Sequence, residues 1–229
     1  MTPDTVMIFA AGFGTRMMPL TRDRPKPMVK VAGQPLIDHA LSAARQVNPR
    51  TIFANTHYKA EVLEQHLFGR DVQTIREDPD ILDTGGGLKN ALTPQSAPTA
   101  WTMNPDVIWT GPNPLQTALR HWSPDHMDAL LVCVDPSRAH GTQSAGDFTI
   151  AGNGTLSRGS GVIFGGVQII KTQPVANRQE TTFSLNLVWD DLISAGRLFG
   201  VTHPGEWCDV GRPENIPVAE ALLQREKAS

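Results

Sequence analysis

The chain has 229 residues, with 20 Lys and Arg against 23 Asp and Glu and a formal net charge of -3. That acidic balance argues against nucleic-acid or membrane-surface partners, which favour a basic excess. A hydrophobic fraction of 40% supplies a sizeable core, which a disordered chain lacks.

The first apolar run, Val6 to Ala11, reads as a buried strand that stops at Gly12. A loop rich in Gly, Pro and basic residues follows, from Gly12 to Gly33. Leu36, Ile37, Ala40, Leu41 and Ala44 recur at helical spacing after Pro35, and Asn48-Pro49 ends that helix. Residues 51–54 predict a second strand, 60–67 a helix closed by Gly69, and 72–75 a third strand. Strands alternating with helices predict an α/β fold with a largely parallel sheet flanked by helices.

Further on, 99–103 and 129–134 read as strands. From Pro136 to Gly161 the composition shifts to Gly, Ser, Thr and Asn, the pattern of hairpins and loops over a site. Residues 162–170 return to strand character, and 186–195 read as helix. Short strands at 199–202 and 206–210 and a helix over 214–226 complete the chain. One domain over 1–229, with a small β-rich insertion at roughly 136–185, is expected.

The two cysteines, Cys133 and Cys208, build neither a disulfide framework nor a four-cysteine zinc site. No apolar run reaches the roughly 20 residues of a membrane helix. Met1-Thr2-Pro3-Asp4 lacks the basic region of a signal peptide. A cytoplasmic setting is expected, and nothing in the sequence demands more than a monomer.

The richest segment is Ala10-Ala11-Gly12-Phe13-Gly14-Thr15-Arg16-Met17. A Gly-rich turn after a buried first strand lets backbone N–H groups approach phosphate oxygens without Cβ obstruction. Arg16 adds a planar fork suited to phosphate. It is not a Walker loop, because Thr15-Arg16 follows Gly14 where Lys and Ser or Thr are required. Nor is it a dinucleotide fingerprint, whose third glycine would replace Met17. Close behind, Pro25 and Pro27 clamp Lys26 in extended backbone as a pre-placed positive charge.

Together Ala10-Ala11-Gly12-x-Gly14-Thr15-Arg16-Met17-x-Pro19-Leu20-Thr21, Pro25-Lys26-Pro27-Met28 and Gly33-x-Pro35-Leu36 resemble the N-terminal signature of the sugar-1-phosphate nucleotidyltransferases. The resemblance implies a Rossmann-like, nucleotide-diphospho-sugar transferase fold, with a nucleoside triphosphate and a sugar 1-phosphate as substrates. It implies that Ala10, Ala11, Gly12, Gly14 and Thr15 bind nucleotide, that Arg16 holds the triphosphate and that Lys26 contacts the reacting phosphates.

Charge crowding between two phosphate-bearing substrates calls for a divalent cation, and the resemblance implies Mg²⁺. Asn104-Pro105-Asp106 is similar to the family's Asn-Gly-Asp tripeptide, with Pro105 as a departure, and places Asp106 on the metal and Asn104 at the sugar. Trp207-Cys208-Asp209-Val210-Gly211-Arg212-Pro213 resembles the family's second metal segment and supplies Asp209, with Arg212 where threonine is commoner. Asp83-Thr84-Gly85-Gly86-Gly87 resembles a nucleotide-facing segment, implying roles for Gly85 and Gly86. Gly165-Gly166-Val167-Gln168 resembles the strand on which the sugar packs, implying Gly166. Asn55-Thr56-His57 reads as structural, and Arg158 is a candidate substitute for a sugar-phosphate lysine whose Glu-Lys-Pro motif is absent here.

The expected reaction is in-line attack of the sugar-phosphate oxygen on the α-phosphorus, with pyrophosphate leaving and no covalent intermediate. The short chain predicts absence of the second domain of bifunctional members. The pattern is most similar to the N-acetylmuramate-1-phosphate uridylyltransferases of bacterial cell-wall recycling. Mannose-1-phosphate guanylyltransferase, glucose-1-phosphate thymidylyltransferase and a catalytically silent nucleotide-sugar-binding regulator stay open as alternatives.

Overall fold

The structure is a computed structural model that describes residues 2–92 and 97–228; Met1 and Ser229, the ends of the expected domain, lie outside them. The first strand, β1 (Thr5–Ile8), is wholly buried. It is followed by the short pair β2 (Lys30–Val31) and β3 (Gln34–Pro35), then α1 (Leu36–Arg45), β4 (Thr51–Thr56), α2 (Ala60–Leu67) and β5 (Gln73–Arg76). Next come α3 (Asp83–Leu92), β6 (Thr99–Met103), β7 (Val107–Trp109), α4 (Pro114–His121), β8 (Ala129–Val134) and β9 (Ala139–His140). The hairpin strands β10 (Phe148–Ile150) and β11 (Leu156–Arg158) lead to β12 (Ile163–Lys171). The chain closes with α5 (Thr172–Ala176), α6 (Leu185–Ser194), β13 (Leu198–Thr202), β14 (Trp207–Asp209) and α7 (Asn215–Ala228).

Seven strands form the central sheet in the order β13-β8-β12-β6-β1-β4-β5. β12 runs antiparallel to both neighbours, and every other pairing is parallel. The sheet is therefore mixed and mostly parallel, as expected. The chain leaves β1 toward β4 and β5, then returns across it to β6. Such a reversal opens a crevice at the carboxyl ends of the strands, where α/β sheets bind ligands.

Side-chain alternation along the strands feeds two cores. Val6 and Ile8 of β1 pack with Ile37 and Leu41 of α1, Leu63 of α2 and Leu115 of α4. Met7 points the other way, among Leu88 of α3, Val175 of α5 and Leu185 and Val188 of α6. A third cluster, including Met17, Val31, Leu36, Ile108, Cys208 and Leu222, ties the loop after β1 to α7.

The structure corrects several readings. Lys26 opens a 3₁₀ turn, Lys26–Met28, with Pro27 inside that turn, and so does not stand in extended backbone. The first strand ends at Ile8 rather than Ala11: Phe9 N still donates to Met103 O (3.0 Å), but Ala10 N turns to the Asn55 side chain (2.6 Å). Three helices, α3, α4 and the short α5, were absent from the sequence reading. α3 contains three glycines, which are weak helix formers. α4 begins in Gly111-Pro112-Asn113-Pro114, where the Asn113 side chain caps Leu115 N and Gln116 N. Within the stretch 136–185, Ile163–Lys171 is a strand of the central sheet, whereas β9 and the β10–β11 hairpin stand outside that sheet. No helix among the described residues is long and apolar enough to cross a membrane.

Candidate active site

The loop after β1 is built around one close approach. Gly14 has φ +62° and forms the entry to a single 3₁₀ turn, Thr15–Met17. A Cβ there would lie 2.9 Å from Lys26 Cβ and 3.1 Å from Thr21 Cγ2. Glycine is thus required twice, for the left-handed backbone and for the contact that brings Lys26 beside the loop. Thr21 Oγ1 donates to Gly14 O (2.9 Å), locking the turn. Gly12, by contrast, has open space where a Cβ would stand, and it lines the cleft.

A buried polar network fixes the start of this loop. Asn55 at the end of β4 accepts from Ala10 N and donates to Glu77 Oε1 (2.7 Å). Glu77 is 2% exposed; its Oε2 accepts from Leu82 N (2.8 Å) and its backbone carbonyl bonds His57 Nδ1 (2.8 Å). Asn55 and His57 therefore act as supports, while Glu77 was missed because no local pattern marks it.

The phosphate-binding candidates meet the carboxylate candidates at one place. Lys26 Nζ donates to Asp106 Oδ2 (2.5 Å), both groups largely buried. Antiparallel pairing of β7 with β14 sets Val107 opposite Asp209, and Val210 N donates to Asp106 O (2.9 Å). Burial and the Asp106 charge push the Asp209 carboxyl above its ordinary range, while Lys26 and Arg16 pull it down. Four residues read separately from sequence (Arg16, Lys26, Asp106 and Asp209) thus share one electrostatic neighbourhood. Pro105 is buried in the turn and leaves Asp106 facing Lys26.

A cleft of about 210 Å³ runs from Ala11 and Gly12 past Asn55, Asp83, Thr84 and Asn104 to Asp106. It continues into a groove of about 390 Å³, with Phe9, Asp83, Thr84 and Asn104 walling both. The groove's floor is a satisfied polar chain: Trp189 Nε1 donates to Gln168 Oε1 and Gln168 Nε2 to Thr102 Oγ1, each at 3.0 Å. Arg158 stands at this end, over the Phe148 ring (4.8 Å) and held by Asp190 and Asn186 (each 2.9 Å). A third recess of about 600 Å³ lies between Arg16, Gln143, Asp209 and Arg212. Another of about 310 Å³ sits behind the site between α1, β7 and α7. Its carboxylate, Glu226, accepts from Gly111 N (2.5 Å), and it gathers no cations for phosphate.

The glycines after Asp83 are packed closely against the chain. Gly85 N and Gly86 N both donate to Phe183 O, and a Cβ on Gly86 would fall 2.2 Å from Thr181 O. Gly85 and Gly86 pack α3 onto the segment before α6, and Asp83 and Thr84 supply the cleft wall. Gly166, at φ +92° in a β-bulge, lies under the Asn104 side chain and accepts from Asn104 N (2.8 Å), so it positions Asn104. Cys133 and Cys208 are buried and burial raises both thiols, Cys208 to about 12, which removes them as nucleophiles.

A phosphate-type glycine loop at the sheet's crossover, facing paired carboxylates, defines a nucleotide-handling α/β transferase. Residues 5–137 match the Nucleotidyl transferase family. The chain is 34% identical to an N-acetylmuramate alpha-1-phosphate uridylyltransferase of Caulobacter vibrioides, over 96% of this chain and 97% of that protein. It is 29% identical to the protein of the same description in Neisseria meningitidis serogroup B, over 94% and 96% respectively. The solved structure of HddC from Yersinia pseudotuberculosis complexed with GMP-PN shares the fold, with a TM-score of 0.76, 24% identity and coverage of 96% and 99%. The chain belongs to the nucleotidyl transferase family, as a sugar-1-phosphate nucleotidyltransferase.

Proposed function

We propose that the protein transfers a uridylyl group from UTP to N-acetylmuramate 1-phosphate, giving the UDP-sugar and pyrophosphate. Near full-length similarity to the Caulobacter and Neisseria proteins carries this choice. The charge layout agrees with it. One end of the continuous groove holds Lys26 and the carboxylates, suited to phosphates; the other holds the Arg158 guanidinium above Phe148 and Trp189. N-acetylmuramate differs from N-acetylglucosamine by a lactyl ether, whose carboxylate is the partner such a cation would take.

In this reading 1–229 is one nucleotidyltransferase domain. The amides of Gly12, Gly14 and Thr15 and the Arg16 side chain hold the triphosphate, and Lys26 orients the α-phosphate against the sugar phosphate. Asn104, fixed by Gly166, faces the sugar, and Asp83 and Thr84 border the nucleoside. Asp106 and Asp209 fit a hard divalent cation: they are adjacent, oxygen-only and mutually repelling, as the raised Asp209 carboxyl records. Bound there, Mg²⁺ would neutralise phosphate charge, with phosphate oxygens and water completing its shell. Lys26 would then exchange Asp106 for phosphate oxygens. We place the reaction in the cytoplasm, in reuse of cell-wall sugars.

Pyrophosphate release with Mg²⁺, crossing UTP, dTTP, GTP and CTP against several sugar 1-phosphates, tests this. Release confined to UTP with N-acetylmuramate 1-phosphate is expected; release with GTP and mannose 1-phosphate instead would overturn it. Arg158→Ala should raise KM for N-acetylmuramate 1-phosphate about tenfold or more, the value of one charge-assisted hydrogen bond. KM for N-acetylglucosamine 1-phosphate should stay unchanged. Equal losses on both sugars would reduce Arg158 to a latch between the hairpin and α6.

A further inference from the structure

Arg212 stands where the family's pattern carries a threonine, and nothing in the reading above uses it. It lines the recess of about 600 Å³ together with Arg16 and Asp209. Among the described residues neither Arg16 nor Arg212 makes a side-chain hydrogen bond or ion pair. Several other arginines are paired: Arg76 with Glu61 and Glu64, Arg138 with Glu206, Arg178 with Asp191 and Arg197 with Asp128. Glu214, two residues on, also faces the recess and still leaves Arg212 unpaired.

The turn that carries Arg212 is fixed. Asn215, buried at the start of α7, donates through Nδ2 to Asp209 O (2.8 Å) and Gly141 O (2.9 Å). Its N–H donates to Arg212 O (3.0 Å). Gly141, at φ +75°, packs so closely that a Cβ would fall 2.2 Å from Asp209 O. The turn is therefore pinned on both sides, close to the carboxylate pair and on the Arg16 side of it.

We infer that Arg212 is a catalytic residue that, paired with Arg16, binds the departing pyrophosphate. This rests on the nucleotidyl-transfer reading and extends it. As the sugar-phosphate oxygen bonds to the α-phosphorus, the bond from that phosphorus to its bridging oxygen breaks. The electron pair stays on the pyrophosphate, so negative charge grows on the side that faces the two guanidiniums. Two planar donors are matched to that charge, and their lack of resting partners means no ion pair must break first. The threonine of the family pattern would offer one neutral hydroxyl there.

Equilibrium binding of pyrophosphate with Mg²⁺ to the substrate-free protein, by calorimetry, tests this without knowing the sugar. Arg212→Ala should weaken binding about 10- to 100-fold, as expected for one or two charge-assisted hydrogen bonds. Arg212→Thr should behave like the alanine variant and Arg212→Lys should recover part of the loss. UMP affinity should stay within about twofold, since UMP carries no β-phosphate to reach the recess. Pyrophosphate affinity unchanged in Arg212→Ala, absent in the wild-type protein, or lost in step with UMP affinity would each overturn the assignment. Failure of the UTP and N-acetylmuramate reading would show separately, in the substrate panel.

Discussion

Asp209→Asn should lower turnover by about 100- to 1,000-fold and raise the melting temperature of the metal-free protein. Both effects follow from one environment. Burial and the Asp106 carboxylate raise the Asp209 carboxyl above its ordinary value of 3.8, against the pull of Lys26 and Arg16. A carboxyl whose folded pKa is raised contributes stability below its unfolded pKa and loses it as pH rises through the folded pKa. At neutral pH the ionised group is therefore a cost to the folded state, and a neutral amide of the same size removes that cost. The stability gap between variant and wild type should be widest near neutral pH and close below about pH 4, where both side chains are neutral. Mg²⁺ should raise the wild-type melting temperature and leave the variant's nearly unmoved, because a ligand stabilises only a state that binds it. Thermal melts across pH, with and without Mg²⁺, together with pyrophosphate release, decide the matter. A variant with wild-type turnover would sink the metal assignment.

Such a site shows what a sequence can and cannot disclose. The glycine loop was readable because its chemistry is local: backbone amides, a left-handed Gly14 and Lys26 set between prolines lie within one short stretch. Family likeness brought out Asp106 and Asp209 individually, but only the β7–β14 pairing shows that their charges interact. The Asp83–Gly87 segment hid its helix for a physical reason. Three successive glycines weaken a helix in isolation, so they read as a turn or a flexible backbone facing ligand. In the fold their missing side chains are what let α3 lie against Thr181, Phe183 and the Asn55–Glu77 pair, and that packing makes the helix. Arg158 was read as a hand for the sugar phosphate. Its pairing with Asp190 and Asn186 puts it at the opposite end of the groove from Asp106. Glu77 left no trace, because a lone acidic residue in Arg76-Glu77-Asp78-Pro79 looks like part of a solvated turn.

Glu77 is nevertheless where the second large effect is expected. Glu77→Ala should cost about 3 kcal/mol, a fall of roughly 6–12 °C in melting temperature for a chain of this size. A buried donor, Asn55 Nδ2, and a part-buried one, Leu82 N, would be left unpaired, and the Asn55 amide would lose the contact that aims its oxygen at Ala10 N. The first turn of the phosphate loop would then loosen, so KM for the triphosphate should rise more than KM for the sugar phosphate. Glu77→Gln is no rescue. Glutamine keeps the volume but presents an NH₂ group to one of two donors, and Gly87 packs too closely for the pair to reorient: a Cβ there would already lie 2.7 Å from Oε1 and 3.0 Å from Asn55 Nδ2. Because Asn55 and Glu77 act on the loop as one unit, Asn55→Ala and Glu77→Ala should be strongly non-additive, the double variant losing little beyond the worse single one. Additive losses in melting temperature, or a Glu77→Ala protein that melts like wild type, would show that the buried pair does not hold the loop. Matched losses in both Michaelis constants would place its influence on the fold as a whole instead of on the triphosphate.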